Sequence, residues 1–178
     1  MLRALMVRYQ RGELEAFEEL YGRTSPMIRG YLAALAPDRS QALDLAQECY
    51  LQIHRSRHTY DSAFPVRPWM LGIARHVRLM AHRSRGRRRG WEVVGLDGVP
   101  EVPVPAEVEH LYDRDIVERA LAGLPADWRE ALALRHVYGL SFREIGGVVG
   151  VSEGGARIRA CRGMAALRDA LASGKHHD

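Results

Sequence analysis

The stretch from Leu124 to Leu171 constrains the fold more than any other part of the chain. A helical pattern from about Ala126 to Tyr138 stops at Gly139, the residue type that most readily takes the left-handed conformation closing a helix. Ser141 and Glu144 then form a capping-box pair, in which the serine accepts from the first turn and the glutamate reaches back. The short helix they open ends near Val149 with Gly150 after it. Ser152 is a good N-cap for a last helix that carries Arg157, Arg159 and Arg162. Helix, short helix, three-residue turn and helix is the layout that lays its last member in a DNA major groove.

Within that last helix Ala156, Ala160, Gly163, Leu167 and Leu171 recur at helical spacing and predict the face toward the domain core. Small residues at 156, 160 and 163 allow a close crossing over the preceding helix. Arg157 with Cys161, and Ile158 with Arg162, line an adjoining exposed face. An arginine there can fork onto guanine or clamp a phosphate, and Ile158 can touch a thymine methyl. Arg159 falls round the side, toward phosphate or solvent. Gly154 and Gly155 each lower helix propensity by about 1 kcal/mol relative to alanine. Having no side chain, they could admit a phosphate to the helix N-terminus. The candidate duplex-reading set is Ser152, Gly154, Gly155, Arg157, Ile158, Arg159, Cys161 and Arg162. A charged solvent face on a three-helix bundle is the plain alternative; the turn spacing, the two caps and the arginine placement favour DNA.

The rest of the chain shows no strand-like alternation, and the expected fold class is all-α, in two small helical domains. A first helix spans about Leu2 to Tyr21, interrupted near Gly12, with Ala16, Phe17 and Leu20 on one face. A second starts near Ser25 with Pro26 at its first position and runs to Leu35. A third, from about Ser40 to Arg55, places Ala42, Leu45, Ala46, Cys49, Tyr50 and Ile53 on a core face. Asp44, Gln47, Glu48, Leu51 and Gln52 lie opposite. A loop with Tyr60, Asp61, Ser62, Phe64 and Pro65 follows, and Pro68 opens a fourth helix with Trp69, Ile73, Ala74 and Val77 inward. It runs into Arg83, Arg85, Arg87, Arg88 and Arg89. From Gly86 to about Glu109 glycines, prolines, valines and acids make a linker. A further helix is expected from about Leu111 to Ala122. The domain boundaries read 1–89, a linker over 90–109, and 110–178.

Charge sharpens this division. The net charge is +4, but residues 1–89 carry 16 arginines against 8 acidic residues, whereas residues 90–110 carry 5 acidic residues and no lysine or arginine. The N-terminal half suits a polyanion and the middle segment avoids one. Tyr60, Asp61, Ser62 and Phe64 are the stacking and hydrogen-bonding types that hold an extruded base, beside a cationic track from Arg67, Arg75, Arg78 and Arg83.

Enzyme chemistry finds no footing here. No nucleophile elbow, phosphate loop or metal-ligand spacing occurs, and neither a cofactor nor a metal is expected. His54 and His58 form a lone i, i+4 pair without a third ligand. Cys49 and Cys161 give no disulfide framework; the first reads as a buried small hydrophobe and the second as a tolerated thiol. No apolar run approaches the roughly 20 residues of a membrane span. Arg3 and Arg8 interrupt the apolar N-terminus, so no signal peptide is expected and the location reads as cytoplasmic.

Ser141, Phe142, Arg143, Glu144, Ile145, Gly150, Val151, Ser152, Glu153 and Gly154, followed by Arg157, Arg159, Arg162 and Leu167, resemble region 4 of bacterial extracytoplasmic-function sigma factors. Leu124-Pro125, Leu134-Arg135 and Tyr138-Gly139-Leu140 ahead of them do so too. Asp44-Leu45, Gln47-Glu48 and Leu51 resemble the core-binding helix of region 2, and Phe64, Trp69, Ile73, Ala74 and Arg75 its promoter-melting segment. The resemblance spans essentially the whole chain outside the linker. Leu43, His76, Met80 and Gly155 depart from the usual residues.

The resemblance implies a promoter-specificity subunit of RNA polymerase, monomeric when free. Asp44, Gln47, Glu48, Leu51 and Gln52 would dock on the β′ clamp helices, with the β flap as a further core contact. Tyr60, Asp61, Ser62, Phe64, Arg67, Arg75, His76, Arg78 and Arg83 would capture the melted −10 element, and the last helix would read −35 duplex. The acidic linker would thread a basic polymerase channel or act as a plain tether. An anti-sigma factor is the implied regulator. Two rival readings are a dimeric helix-turn-helix regulator of duplex operators, and a helical adaptor that binds only protein.

Overall fold

The computed structural model describes residues 1–35, 40–88 and 114–174, which form helices and turns with no strand among them. The chain divides into two compact units between Gly95 and Leu96. The linker expected over 90–109 lies outside the described residues, as do Arg89 and the start of the helix placed at Leu111.

In the N-terminal unit α1 spans Leu2–Gln10 and buries Leu5, Met6 and Tyr9. Gly12, at φ 95°, turns the chain, and Arg8 Nε closes the corner on Glu13 Oε2 at 2.7 Å. Helix α2 then runs unbroken over Leu14–Leu35 with Pro26 inside it, where two helices were expected. A proline in a helix interior removes one backbone bond and crowds the carbonyl four residues back, commonly costing about 3 kcal/mol or more. Packing outweighs that penalty here. Ala16, Leu20, Thr24, Ile28, Tyr31 and Leu32 stay in helical phase across the proline and are all buried. Thr24 also donates to the Leu20 carbonyl at 2.6 Å and meets the Tyr50 hydroxyl at 2.8 Å, while Pro26 faces solvent.

Helix α3, Ser40–Ser56, buries Ala42, Leu45, Ala46, Cys49, Tyr50 and Ile53, the face its periodicity predicts. A 3₁₀ turn, Arg57–Thr59, leads to the loop, and α4 spans Val66–Arg88. The helix opens two residues before Pro68, which still sits in the first turn where no intrahelical N–H is required. Its buried stripe is Val66, Met70, Leu71, Ala74 and Val77; Trp69 and Ile73 are only half-buried, so the inward face is rotated from the expected one. Helices α1, α3 and α4 all pack on α2. Each fully buried Leu, Ile or Met in such a core contributes about 1.5–3 kcal/mol.

The C-terminal unit holds α5 (Arg114–Ala122), α6 (Ala126–Leu132), α7 (Phe142–Val149) and α8 (Glu153–Gly174). The expected uninterrupted helix to Tyr138 instead widens into a π turn over Ala133–Val137, marked by Tyr138 N–H donating to the Ala133 carbonyl at 3.1 Å. Ala131, Leu132, Ala133 and Leu134 are all buried as the turn begins, and Arg135 in its middle is exposed. Helix α8 buries Ala156, Ala160, Gly163, Leu167 and Leu171 as predicted. The closest crossing falls on α6 rather than on the helix immediately before. A Cβ at Gly163 would lie 3.0 Å from the Leu132 side chain and 3.2 Å from the Trp128 carbonyl oxygen.

Candidate nucleic-acid interface

The head of α7 and the turn between α7 and α8 are built from local bonds. Ser141 Oγ accepts from Glu144 N–H at 3.3 Å, and Ser141 N–H donates to Glu144 Oε2 at 2.7 Å, completing the expected capping box. Gly150 closes α7 in the left-handed region, at φ 75° and ψ 39°. The N–H groups of Gly150 and Val151 both donate to the Gly146 carbonyl, at 2.9 and 3.0 Å. Only glycine fits at 146, because a Cβ there would lie 2.7 Å from the Val151 carbonyl oxygen. Ser152 Oγ accepts from Gly155 N–H at 3.1 Å and so caps α8.

On α8, Ser152, Gly154, Arg157, Ile158, Cys161 and Arg162 are exposed, Ile158 to 53%. Gly155 is half-buried, with the position of a Cβ 3.3 Å from Ser152 Oγ and 3.5 Å from Val151. Gly154 is the open one; a Cβ there meets nothing nearer than Ser152 Oγ at 4.0 Å. Arg159 departs from the expectation of phosphate or solvent. It is half-buried, and its Nε lies 3.4 Å from Asp127 Oδ2, tying α8 to α6 within the unit.

Phe142 joins this face unforeseen. The Arg157 guanidinium lies 5.3 Å from the ring centroid and that of Arg135 lies 4.9 Å from it. Arg135 also donates to the Leu140 carbonyl at 3.0 Å, and Arg157 stands 3.8 Å from Glu153 Oε1. One aromatic ring thus holds two cations from different elements, an attraction worth about 0.5–1 kcal/mol at an exposed site. Arg135 precedes Phe142 by seven residues across the π turn, a relation no helical period predicts.

In the N-terminal unit the loop after the 3₁₀ turn divides into anchor and presented residues. Tyr60 is buried, its ring 5.3 Å from Trp69, and its hydroxyl donates to the Phe64 carbonyl at 2.6 Å. Burial pushes its pKa up, against the lowering influence of the nearby Arg3 guanidinium. It shapes the loop instead of offering a stacking face, which departs from its expected part. Asp61 Oδ1 accepts from Ala63 N–H at 2.8 Å, an Asx turn that fixes the loop tip. Phe64 is 58% exposed, and Asp61, Ser62, Arg67, His76 and Arg83 are exposed with it. Arg75 and Arg78 are half-buried, and each already takes part in an interaction. The side chains of Arg85, Arg87 and Arg88 fall outside the described ones.

The outer face of α3 holds Asp44 and Gln47 exposed, Leu51 43% exposed, and Glu48 and Gln52 half-buried and joined by a 2.6 Å bond from Gln52 Nε2. Leu43 is 59% exposed and lies two helical turns from Leu51, so the face carries two exposed leucines where sequence reading counted one. The four-residue spacing of 43, 47 and 51 was the available signal. His54 Nδ1 shares a 2.6 Å hydrogen bond with the Tyr9 hydroxyl. Among the described residues no helix is long and apolar enough to cross a membrane.

Family models for Sigma-70 region 2 and for Sigma-70, region 4 match residues 20–88 and 114–167. The chain is 35% identical over 171 residues to the RNA polymerase sigma factor CarQ of Myxococcus xanthus, covering 93% of this chain and 95% of that protein. It is 29% identical over 157 residues to the ECF RNA polymerase sigma factor SigL of Mycobacterium tuberculosis, covering 88% and 89%. In fold it is similar to the sigma factor RpoE solved with the anti-sigma factor NepR from Bartonella quintana, with a TM-score of 0.71 at 24% identity over 87% of this chain and 96% of that one. CnrH, solved with the cytosolic domain of CnrY, gives a TM-score of 0.70 at 19% identity over 96% and 97%. The matched segments, region 2 then region 4, contain the exposed loop and the capped helix α8 in that order, and the chain belongs to the extracytoplasmic-function branch of the sigma-70 family.

Proposed function

We propose that this sigma factor binds core RNA polymerase, opens promoter DNA at the −10 element with its N-terminal unit, and reads the −35 element with its C-terminal unit. The division of labour follows residues 1–89 and 110–178. The observation that carries it is the presence, in one chain, of an exposed aromatic loop beside arginines and a capped helix that exposes Arg157, Ile158 and Arg162. The outer face of α3, with Asp44, Gln47, Glu48, Leu51 and Gln52, docks on the β′ clamp helices; Leu43 extends its apolar centre within a polar rim. The C-terminal unit meets the β flap.

Phe64 stacks on or brackets an extruded base of the non-template strand, with Asp61 and Ser62 at its edge. Arg67 and Arg83 neutralise the backbone beside it. On α8, Arg157 and Arg162 meet guanine edges or phosphates, and Ile158 a thymine methyl. The free energy of these contacts offsets the cost of unpairing, and no covalent chemistry is involved. Both solved relatives in fold were captured with a protein partner, one of them named an anti-sigma factor, which supports control of this chain by an anti-sigma factor that covers its polymerase-facing surfaces.

Run-off transcription with purified core enzyme, with and without this chain, tests the reading. Promoter-dependent transcripts are expected only with it; their absence from every candidate promoter defeats the proposal. Arg162→Ala is expected to weaken −35 duplex binding and leave core affinity intact, and equal loss of both contradicts the division of labour.

A further inference from the structure

Helix α1 lies ahead of residue 20, where the region 2 match begins, yet it is bound to the loop that presents Phe64. Gln10, the last residue of α1, is half-buried and donates from the same Nε2 to two carbonyls, those of Arg57 and Tyr60, each at 2.8 Å. These carbonyls stand at the beginning and just past the end of the 3₁₀ turn that delivers the chain into the loop. At the far side the Tyr60 hydroxyl donates to the Phe64 carbonyl at 2.6 Å. One amide therefore fixes the entry of the loop, and Tyr60, held by that amide through its own carbonyl, fixes the exit. Phe64 is left exposed on a frame whose hydrogen bonds lead back to α1.

We infer that Gln10 is a positioning residue for promoter opening, setting the pose of the Tyr60–Phe64 loop from a helix outside the region 2 core. The inference rests on the reading that this loop captures a base of the −10 element. It touches no DNA itself. A primary amide is required, because a carboxylate of the same shape cannot donate to either carbonyl and would face two acceptors.

The test uses the full chain with core polymerase and a promoter selected by the wild-type complex from a random duplex pool. Gln10→Glu and Gln10→Ala are expected to slow opening on the order of tenfold, the consequence of losing one or two hydrogen bonds of ordinary net strength. Affinity for core and for −35 duplex should stay at the wild-type level, as it should in Ala4→Gln on the exposed face of the same helix. In a Phe64→Ala background the Gln10 substitutions should cost nothing further, since a residue that acts only by posing Phe64 has nothing left to pose. Fluorine-labelled phenylalanine gives a direct readout, for the chain has only 3 Phe. The Phe64 resonance should move or broaden in Gln10→Glu while that of Phe142 does not.

Wild-type opening by Gln10→Glu, a parallel loss of core affinity, or an unmoved Phe64 resonance each overturns the inference. Should the wild-type chain open no selected promoter, the promoter-opening reading itself falls, and the fluorine spectrum still decides whether Gln10 sets the loop.

Discussion

The two units present their candidate DNA-binding residues by opposite means. In the C-terminal unit Arg157, Ile158 and Arg162 stand on a regular helix whose start is fixed by Ser152, three residues from the N–H it accepts. Its orientation is set by Gly146 and Gly150 a few residues earlier. In the N-terminal unit Phe64 stands on an irregular loop, held by Gln10 from 47 and 50 residues away. The helix is organised by local chemistry and the loop by tertiary contact. Damage to the first should therefore appear as lost stability and lost duplex binding together, whereas damage to the second can remove function while the fold stands.

The largest expected effect probes the helix platform. Leu132→Ala opens a cavity where α6 meets Gly163 of α8 and should destabilise the protein by about 2–5 kcal/mol, read by denaturant unfolding. A loss below 1 kcal/mol would mean that the crossing does not fix α8. Gly146→Ala drives a methyl into the Val151 carbonyl and should cost about 1–3 kcal/mol. Duplex affinity measured by fluorescence anisotropy should fall with it, and unchanged affinity in a destabilised protein would separate the turn from the DNA face. Ser141→Ala removes the capping box at the head of α7, with an expected loss of about 1 kcal/mol in the same unfolding experiment.

The loop should behave differently. Phe64→Ala removes an exposed ring and should change stability by no more than about 0.5 kcal/mol. Permanganate footprinting of unpaired thymines should nonetheless show promoter opening abolished or strongly reduced. A normal footprint would return Phe64 to the status of an ordinary exposed hydrophobe.

The smallest effect is one of pH. Burial pushes the Cys49 thiol from 9.0 to about 12, and Tyr50 beside it from 10.0 to about 12. Because the folded groups keep protons that the unfolded groups release, their contribution is full below about pH 9 and is lost as pH rises toward about 12. Cys49→Ala should move the onset of alkaline destabilisation in thermal melts from near pH 9 to near pH 10, where Tyr50 and the other tyrosines raised by burial, Tyr9, Tyr60 and Tyr138, take over. An unchanged onset would assign the alkaline limit to other groups.

Legibility in the sequence followed the same divide. The buried faces of α3 and α8, the capping box, Ser152 as an N-cap and Gly139 as a left-handed closure could all be read, since each depends on residues within a few positions or on the 3.6-residue period. Pro26 misled because a local rule was set against the burial of an entire helical face. The π turn at Ala133, the pairing of Arg135 and Arg157 on Phe142, the engagement of Arg159 by Asp127 and the burial of Tyr60 had no periodic signature.

By itself, then, the sequence determined that the chain is helical, that it carries regions 2 and 4 in a set order, and which residue types are the candidates for nucleic-acid contact. Short-range backbone geometry and hydrophobic periodicity encode those properties. Tertiary structure alone decided which of the proposed side chains are held inward and which are presented. It made Tyr60 a strut, Phe64 the exposed ring, Arg159 an internal tie and Gln10 the bond that joins the first helix to the loop. That choice depends on which surfaces close against one another across dozens of residues, a relation that no local pattern in the chain records.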